Sequence, residues 1–266
     1  MEERSGKTVR LKERTANSFG FEWSHFDTIY SQYENNFLSY VWPLEPDSFK
    51  NKKVIDAGCG AGRHSYFLAK YGAEVTAFDF SPRAVQAART NLGRHPNVNV
   101  VQEDIYHLPD SWQDRFDIVL CIGVLHHLPD PREGFRQLLK IVKPGGMIAI
   151  WVYGKRDNKM AQVLYEPTRR VTTRIPHQAL YYLSWLPAAA VEAANRTGAP
   201  LFRHYSQFPF RTKWNDAFDV LSAPRANYYD LGEIQSWYEE AGLKDTKITE
   251  RMLGGKAKGI RGIGTR

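Results

Sequence analysis

From Lys52 onward the chain alternates short apolar runs with amphipathic stretches, and this alternation leaves very few folds open to it. KKVIDAG (52–58) reads as a buried strand ending on an acid and a glycine. RHSYFLAKYG (63–72) has helical spacing and a glycine stop. AEVTAFDF (73–80) predicts a second strand, and SPRAVQAARTNL (81–92) a helix opened by Ser and Pro. NVNVVQED (97–104), FDIVLCIGV (116–124) and MIAIWVYG (147–154) predict three further strands. DPREGFRQLLKIVKPGG (130–146) predicts an amphipathic helix stopped by Pro-Gly-Gly. Strands and helices alternating at this spacing predict an α/β fold with a doubly wound, mostly parallel sheet. Its ligand site should lie beyond the carboxyl ends of the strands, a rim that carries Gly58, Asp79, Asp104 and the pair His126–His127.

The alternation stops at Lys155 and resumes with LGEIQSWYEEAGL (231–243), a helix with a glycine stop, followed by KITERM and KGIRGIG as two strands. Between them, prolines at 167, 176, 187, 200 and 209 are expected to cut the chain into short helical pieces. This stretch is rich in bulky aromatics, which a linker lacks, so it predicts an α-helical cap inserted after strand five. The organisation expected is a partly helical N-terminal lid (1–43), a core (44–154 and 225–266) and a substrate cap (155–224).

The 266 residues carry 42% hydrophobic and 24% charged side chains, ordinary for a globular protein that buries one large core. The first residues, MEERSGKTVRLKER, are charged, and QALYYLSWLPAAAV (178–191) is too short to cross a bilayer, so neither a leader nor a membrane insertion is expected. Cys59 and Cys121 have no partner spacing, which argues against a disulfide framework or a zinc site and suits the reducing cytoplasm. A homodimer is compatible with the sequence.

VIDAGCGAGRH (54–64) places Gly58, Gly60 and Gly62 between a strand and a helix N-terminus, where the backbone can turn tightly and approach a ligand. The spacing is not that of a dinucleotide loop, and Asp56 beside it would repel a pyrophosphate. Asp79 ends the next strand, where a carboxylate accepts hydrogen bonds from a ribose, and Glu103-Asp104 end the third.

These residues, with FDIVLCIGVLHHLPDP and VKPGG, resemble the class I S-adenosylmethionine-dependent methyltransferases over roughly residues 51–154, and more loosely from 231 to the end. The resemblance implies a seven-stranded sheet whose last strand runs antiparallel. It implies S-adenosyl-L-methionine as cofactor, with the loop Asp56, Ala57, Gly58, Cys59, Gly60 and Gly62 around its methionine part. Asp79 would bind the ribose and Phe80 would lie against the adenine. Asp104 would meet the adenine amino group, with Ile105 packed on the ring, and Cys121 and Ile122 would present backbone near the methionine amine. RTANSFGFEW (14–23) is similar to a lid segment of some small-molecule members, which implicates Arg14 and Phe19 at the cofactor and Trp23 at the acceptor.

Enzymes of this class that methylate amino groups of nucleic acids carry an Asp/Asn-Pro-Pro-aromatic motif after strand four, and cytosine C5 enzymes a Pro-Cys nucleophile. Here the place reads Gly123-Val124-Leu125-His126, which argues against a nucleic acid and for a small-molecule acceptor. LHHLPDP resembles the corresponding run of quinone-biosynthesis O-methyltransferases, with His126 in place of a glutamate that contributes to a metal site in metal-assisted members, so no metal is expected. His126 and His127 are the candidate catalytic residues: one as a general base, the other as a structural link, with the assignment between them open. Between Lys155 and Asn215 ten cationic residues stand against three acids, a net of +7, interleaved with aromatics. That suits an acceptor with an apolar body and an anionic group. Arg225, Tyr228 and Tyr229, where the chain returns to the rim, are candidate substrate contacts. An RNA methyltransferase and a non-catalytic S-adenosylmethionine-binding protein are the competing readings.

Overall fold

A computed structural model describes residues 2–156, 158–198, 205–253 and 256–266. Asp157, Pro200, Phe202 and Arg203, part of the cap pattern above, lie outside them. The chain opens with α1 (Glu2–His25) and α2 (Tyr33–Val41). The core follows as β1 (Lys53–Ala57), α3 (Arg63–Lys70), β2 (Glu74–Asp79), α4 (Pro82–Leu92) and β3 (Val98–Gln102), then β4 (Phe116–Ile122), α5 (Pro131–Ile141) and β5 (Val142–Tyr153). Next come α6 (Lys159–Thr172), α7 (His177–Leu183), α8 (Trp185–Arg196) and α9 (Phe210–Ser222), and the chain closes with α10 (Leu231–Glu240), β6 (Lys244–Leu253) and β7 (Lys256–Thr265). Among the described residues no helix is long and apolar enough to cross a membrane.

The seven strands form one sheet in the order β3-β2-β1-β4-β5-β7-β6. Pairing is parallel from β3 through to β5, and β7 runs antiparallel to both β5 and β6. Successive strand residues point to opposite faces, so Val54, Val75, Ile118 and Leu120 join one buried cluster, with Phe67 and Phe37. Ile55, Phe78, Val119 and Cys121 join the other, with Phe135 and Tyr238. Both faces are covered, which is why the central strands read as nearly continuous apolar runs.

Three local expectations change. Pro167 does not cut the cap: it sits inside α6, and Pro187 sits in the first turn of α8, where the missing N–H would have no partner in any case. The helix before strand five ends at Ile141, and the Pro-Gly-Gly turn becomes part of a longer, irregular β5, because Gly145 N–H donates to the Arg266 carbonyl (2.9 Å) and Arg266 N–H to the Gly146 carbonyl (2.9 Å). The N-terminal segment is not a separate piece. Phe21 and Phe26 share a buried cluster with Leu180 of α7 and Phe218 of α9, and Ser18 Oγ donates to the Ser222 carbonyl (2.9 Å).

Phe218 is fully buried at the centre of that shared cluster. Phe218→Ala is expected to cost about 3–5 kcal/mol, read as a lower urea midpoint. The same variant should expose α1 to limited proteolysis before the sheet is cut, since the cluster is what seats α1 on the cap helices.

Candidate active site

A cavity of about 990 Å³ runs along the carboxyl rim of the sheet and under α1, α6 and α9. Small-molecule sites span roughly 300–1,000 Å³, so this one has space for two ligands side by side. One end lies over β1, β2 and β3. Gly58 lines it with φ +75°, and a Cβ there would come within 2.4 Å of Val124, so only glycine keeps the loop this close to the strand-four turn. The Asp79 carboxylate lies at the same end, locked by backbone N–H groups of Gly60 (3.0 Å) and Ser81 (2.8 Å). Burial pushes its carboxyl above the ordinary range against these hydrogen bonds. Ser81 precedes Pro82 at the start of α4 as expected, but its side chain makes no cap bond.

Phe80, Asp104, Ile105 and Ile122 also line the cavity. Lys12 of α1 lies over the Phe80 ring, 4.1 Å from its centroid, and pairs with the Asp104 carboxylate. Desolvation raises the Asp104 carboxyl, but hydrogen bonds from Lys12 and His107 outweigh it and hold the group below the ordinary range. This end therefore offers carboxylates to hydroxyl and amino groups, a flat aromatic face, and more acids (Asp79, Glu103, Asp104) than cations (Lys12) among the described lining residues. That donor set fits a cationic adenosyl ligand without phosphates.

Other members of the expected set lie outside the cavity wall. Asp56 is sealed beneath the loop, where it accepts a hydrogen bond from Ser65 Oγ of α3 (2.6 Å), and burial raises its carboxyl to about 6. It therefore braces the loop rather than meeting a ligand. Ala57, Cys59, Gly60, Gly62 and Cys121 are buried behind the same surface, and burial pushes both thiols up. Gly62 opens α3 with φ +83° and lies against Leu92. Arg14 points away, its Nη2 3.5 Å from the Thr173 carbonyl at the surface. Phe19 and Trp23 do line the cavity, and Phe19 packs on the His127 ring at 4.8 Å.

The two histidines separate. His126 is fully buried and off the wall; its ring lies 3.9 Å from that of Tyr153, and neither ring nitrogen has a partner among the described residues. The catalytic expectation for His126 is not supported by this position. His127 lines the cavity. Its Nδ1 is 2.6 Å from the Arg225 carbonyl, and a carbonyl can only accept, so the proton is on Nδ1 and Nε2 is left as a base. Burial lowers its pKa, partly offset by Asp219 and the Arg225 carbonyl. The return segment is laced to this turn, with Asn227 N–H donating to the His126 carbonyl (2.8 Å) and Tyr229 N–H to the Tyr153 carbonyl (2.9 Å). Of its three candidates only Tyr228 reaches the cavity. Tyr229 packs on Trp237 (5.2 Å), and the Arg225 guanidinium bonds Asn227 Oδ1.

The second end of the cavity holds residues that motif reading missed. Glu22, Arg63, Tyr153, Asp216, Asp219 and Arg251 line it. Tyr153 Oη donates to Asp219 Oδ2 (3.2 Å), while Asp219 Oδ1 is buried without a partner. Burial, then the Asp219 charge, raises the Tyr153 phenol well above its ordinary value, so it stays a donor. Burial, then the Asp219 charge, raises the Glu22 carboxyl well above its ordinary value beside Asn215, and burial raises Asp216 to about 6. A usable signal existed: Asn215, Asp216 and Asp219 form one polar stripe in a helix that also buries Phe218, and Tyr153 is the last residue of β5.

A sheet in this order with an acid-lined, glycine-edged cleft at its carboxyl rim is the frame of a Rossmann-like methyltransferase. The chain belongs to the methyltransferase family whose model, described as "Methyltransferase domain", matches residues 48–195. It is an S-adenosylmethionine-dependent methyltransferase, and S-adenosyl-L-methionine is its cofactor. It is 30% identical over 178 residues to the ubiquinone biosynthesis O-methyltransferase of Erwinia tasmaniensis, spanning 64% of this chain and 72% of that protein. The enzyme of the same description from Proteus mirabilis is 30% identical over 171 residues, 60% of this chain and 69% of that protein. A solved SAM-dependent methyltransferase from Aquifex aeolicus shares the fold, with a TM-score of 0.52 at 16% identity over 88% of this chain and 94% of that one.

Asp79→Ala removes the carboxylate that faces the cavity. It is expected to weaken S-adenosylhomocysteine binding by about tenfold to a hundredfold, the worth of hydrogen bonds to a charged group, measured by isothermal titration calorimetry. Asp56→Asn, which keeps an acceptor for Ser65, should weaken it far less.

Proposed function

We propose that this methyltransferase transfers the methyl group to an oxygen of a small molecule with an apolar body and an anionic group, using His127 as general base. The observation that carries the reading is the His127 ring: tautomer set by the Arg225 carbonyl, on the cavity wall, in the field of Asp219. In this reading Asp79 takes the ribose hydroxyls, Phe80 and Ile105 enclose the adenine and Asp104 meets its amino group. The Gly58 turn and Ile122 border the methionine part.

The bound cofactor supplies a methyl group on a sulfonium, so transfer breaks one S–C bond, forms one O–C bond and leaves a neutral sulfide. The acceptor hydroxyl must lose its proton, and His127 Nε2 takes it. Asp219 steadies the imidazolium that forms, and its free Oδ1 can hold the acceptor hydroxyl in line. Tyr153 fixes the Asp219 carboxylate from the other oxygen. The helices α6–α9, with α1, form the cap over the acceptor and keep water out.

Two further observations support a small acceptor over RNA. Several cap cations are already paired: Lys155 with Asp230 and Glu233, Arg156 with Glu250, and Arg196 and Lys213 with Glu192. At the second end of the cavity, Arg63, Arg169, Arg251, Lys256 and Lys258 outnumber Glu22, Asp216 and Asp219, so an anion is favoured there. The O-methyl transfer named for the bacterial relatives points the same way.

The test is transfer of labelled methyl into fractionated cell extract. Label should enter a low-mass, anion-exchange-retained fraction as a methyl ether; label found only in RNA or protein would end the proposal. On the acceptor so found, His127→Asn should lower kcat by about 10²- to 10⁴-fold. Because burial holds the His127 pKa below its ordinary 6.5, the base form persists at neutral pH. Activity should fall as pH drops through a midpoint below 6.5, and this acid limb should vanish in His127→Asn. His126→Leu, which removes two unpaired buried nitrogens, should keep the limb, and its stability should be unchanged or raised by about 1–3 kcal/mol.

A further inference from the structure

The Arg251 side chain of β6 is 4% exposed and lines the cavity. Its guanidinium donates to Ser39 Oγ (2.8 Å) and to Asn36 Oδ1 of α2, and lies over the Tyr40 ring, 4.1 Å from its centroid. All three partners are uncharged, and among the described residues no carboxylate is within ion-pair distance of it. Burying a guanidinium without a counter-charge is strongly unfavourable. Most buried arginines escape that cost through a fork of bonds to a carboxylate.

The neighbouring groups do not relieve it. Arg63 enters the same wall from α3, stacked on Tyr33 at 4.0 Å and bonded to Asn215 Oδ1 (3.2 Å), and it lies in the field of Glu22 and Asp216. His64, in the field of both arginines, is half-buried, and desolvation, then Arg63 and Arg251, hold it neutral to about 3. Lys256 and Lys258 of β7 line the same stretch. The local charge is therefore positive with one centre, Arg251, left uncompensated inside the protein.

We infer that Arg251 is the anion receptor of the acceptor site: it takes a carboxylate or phosphate at the end of the acceptor away from the adenine-side carboxylates, with Tyr40 and Leu253 against the acceptor body. This rests on the small-acceptor reading above and adds where the anionic group is held. Asn36 and Ser39 occupy one side of the guanidinium, and the remaining N–H groups are the ones that meet the anion.

The experiment uses the full chain saturated with S-adenosylhomocysteine and probes of fixed shape: benzoate and phenyl phosphate, with benzamide as the neutral isostere of benzoate. Calorimetry or ligand-observed NMR should show benzoate and phenyl phosphate binding at least about tenfold more tightly than benzamide, in keeping with hydrogen bonds to a charged group. Arg251→Gln should abolish the preference and Arg251→Lys should keep part of it. Asn36→Asp supplies an internal carboxylate to the guanidinium and should also abolish it, which covers the case in which Arg251→Gln does not fold. Equal binding of benzoate and benzamide to the wild type, no binding of either, or a preference that survives both Arg251→Gln and Asn36→Asp would overturn the assignment. Failure of the wild type to bind S-adenosylhomocysteine would instead count against the methyltransferase site itself, so the two failures are distinguishable.

Discussion

The hydrogen bond from His127 Nδ1 to the Arg225 carbonyl joins two parts of the molecule that the chain keeps far apart. It ties the turn after β4 to the return segment that follows the cap, across 98 residues. With Asn227 on the His126 carbonyl and Tyr229 on the Tyr153 carbonyl, it brings the ends of β4 and β5 and the exit from the cap to one point. A parallel sheet opens a crevice at its carboxyl rim, but the crevice has no roof of its own. Here the roof is made of α1 and the cap helices, and this lacing fixes the roof's edge against the strands. The same bond puts the imidazole proton on Nδ1, so the contact that closes the cavity's edge also leaves Nε2 as the ring's acceptor.

Charge is arranged along the cavity rather than spread over its surface. The end over β1 to β3 is lined by Asp79, Glu103 and Asp104, with Lys12 as its cation. The far end has Arg63, Arg169, Arg251 and the β7 lysines, with acids whose carboxyls burial raises. A cationic cofactor and an anionic acceptor would each meet the complementary end, and the potential would also orient the acceptor with its neutral, nucleophilic part toward the middle. The basic cap of the primary structure contributes little to this directly. Among its described cations only Arg169 reaches the cavity; Lys155, Arg156, Arg196 and Lys213 pair with acids, and Arg211 donates to the His25 carbonyl.

The sheet was legible because its signals are local: apolar runs for strands covered on both faces, and glycines and acids where strands stop. Asp79, Phe80 and Asp104 were legible for the same reason, each standing at or just past a strand end. Asp56 shows the limit of position-based inference, because a residue one step from the loop turned inward to Ser65. Pro167 shows another: a proline within an otherwise helical stretch lowers the odds of a helix but does not forbid one. Glu22, Asp219 and Arg251 were not legible. They come from α1, α9 and β6, and only tertiary packing brings them to one wall. The clue was their setting, charged side chains in stretches whose neighbours are buried, and it has no motif attached.

The separate fates of two adjacent histidines follow from one turn of chain. Leu125–His127 is a single 3-10 turn, and successive side chains on such a turn point in different directions. Leu125 is buried in the sheet's second cluster, His126 goes under Tyr153, and His127 is the one left facing the cleft. A site in which both histidines held one ion or one substrate would need them on a common face, which this backbone does not provide. His126 instead fills the space beneath Tyr153, and Tyr153 holds Asp219. The buried ring thus packs against the tyrosine whose hydroxyl donates to Asp219 on the cavity wall.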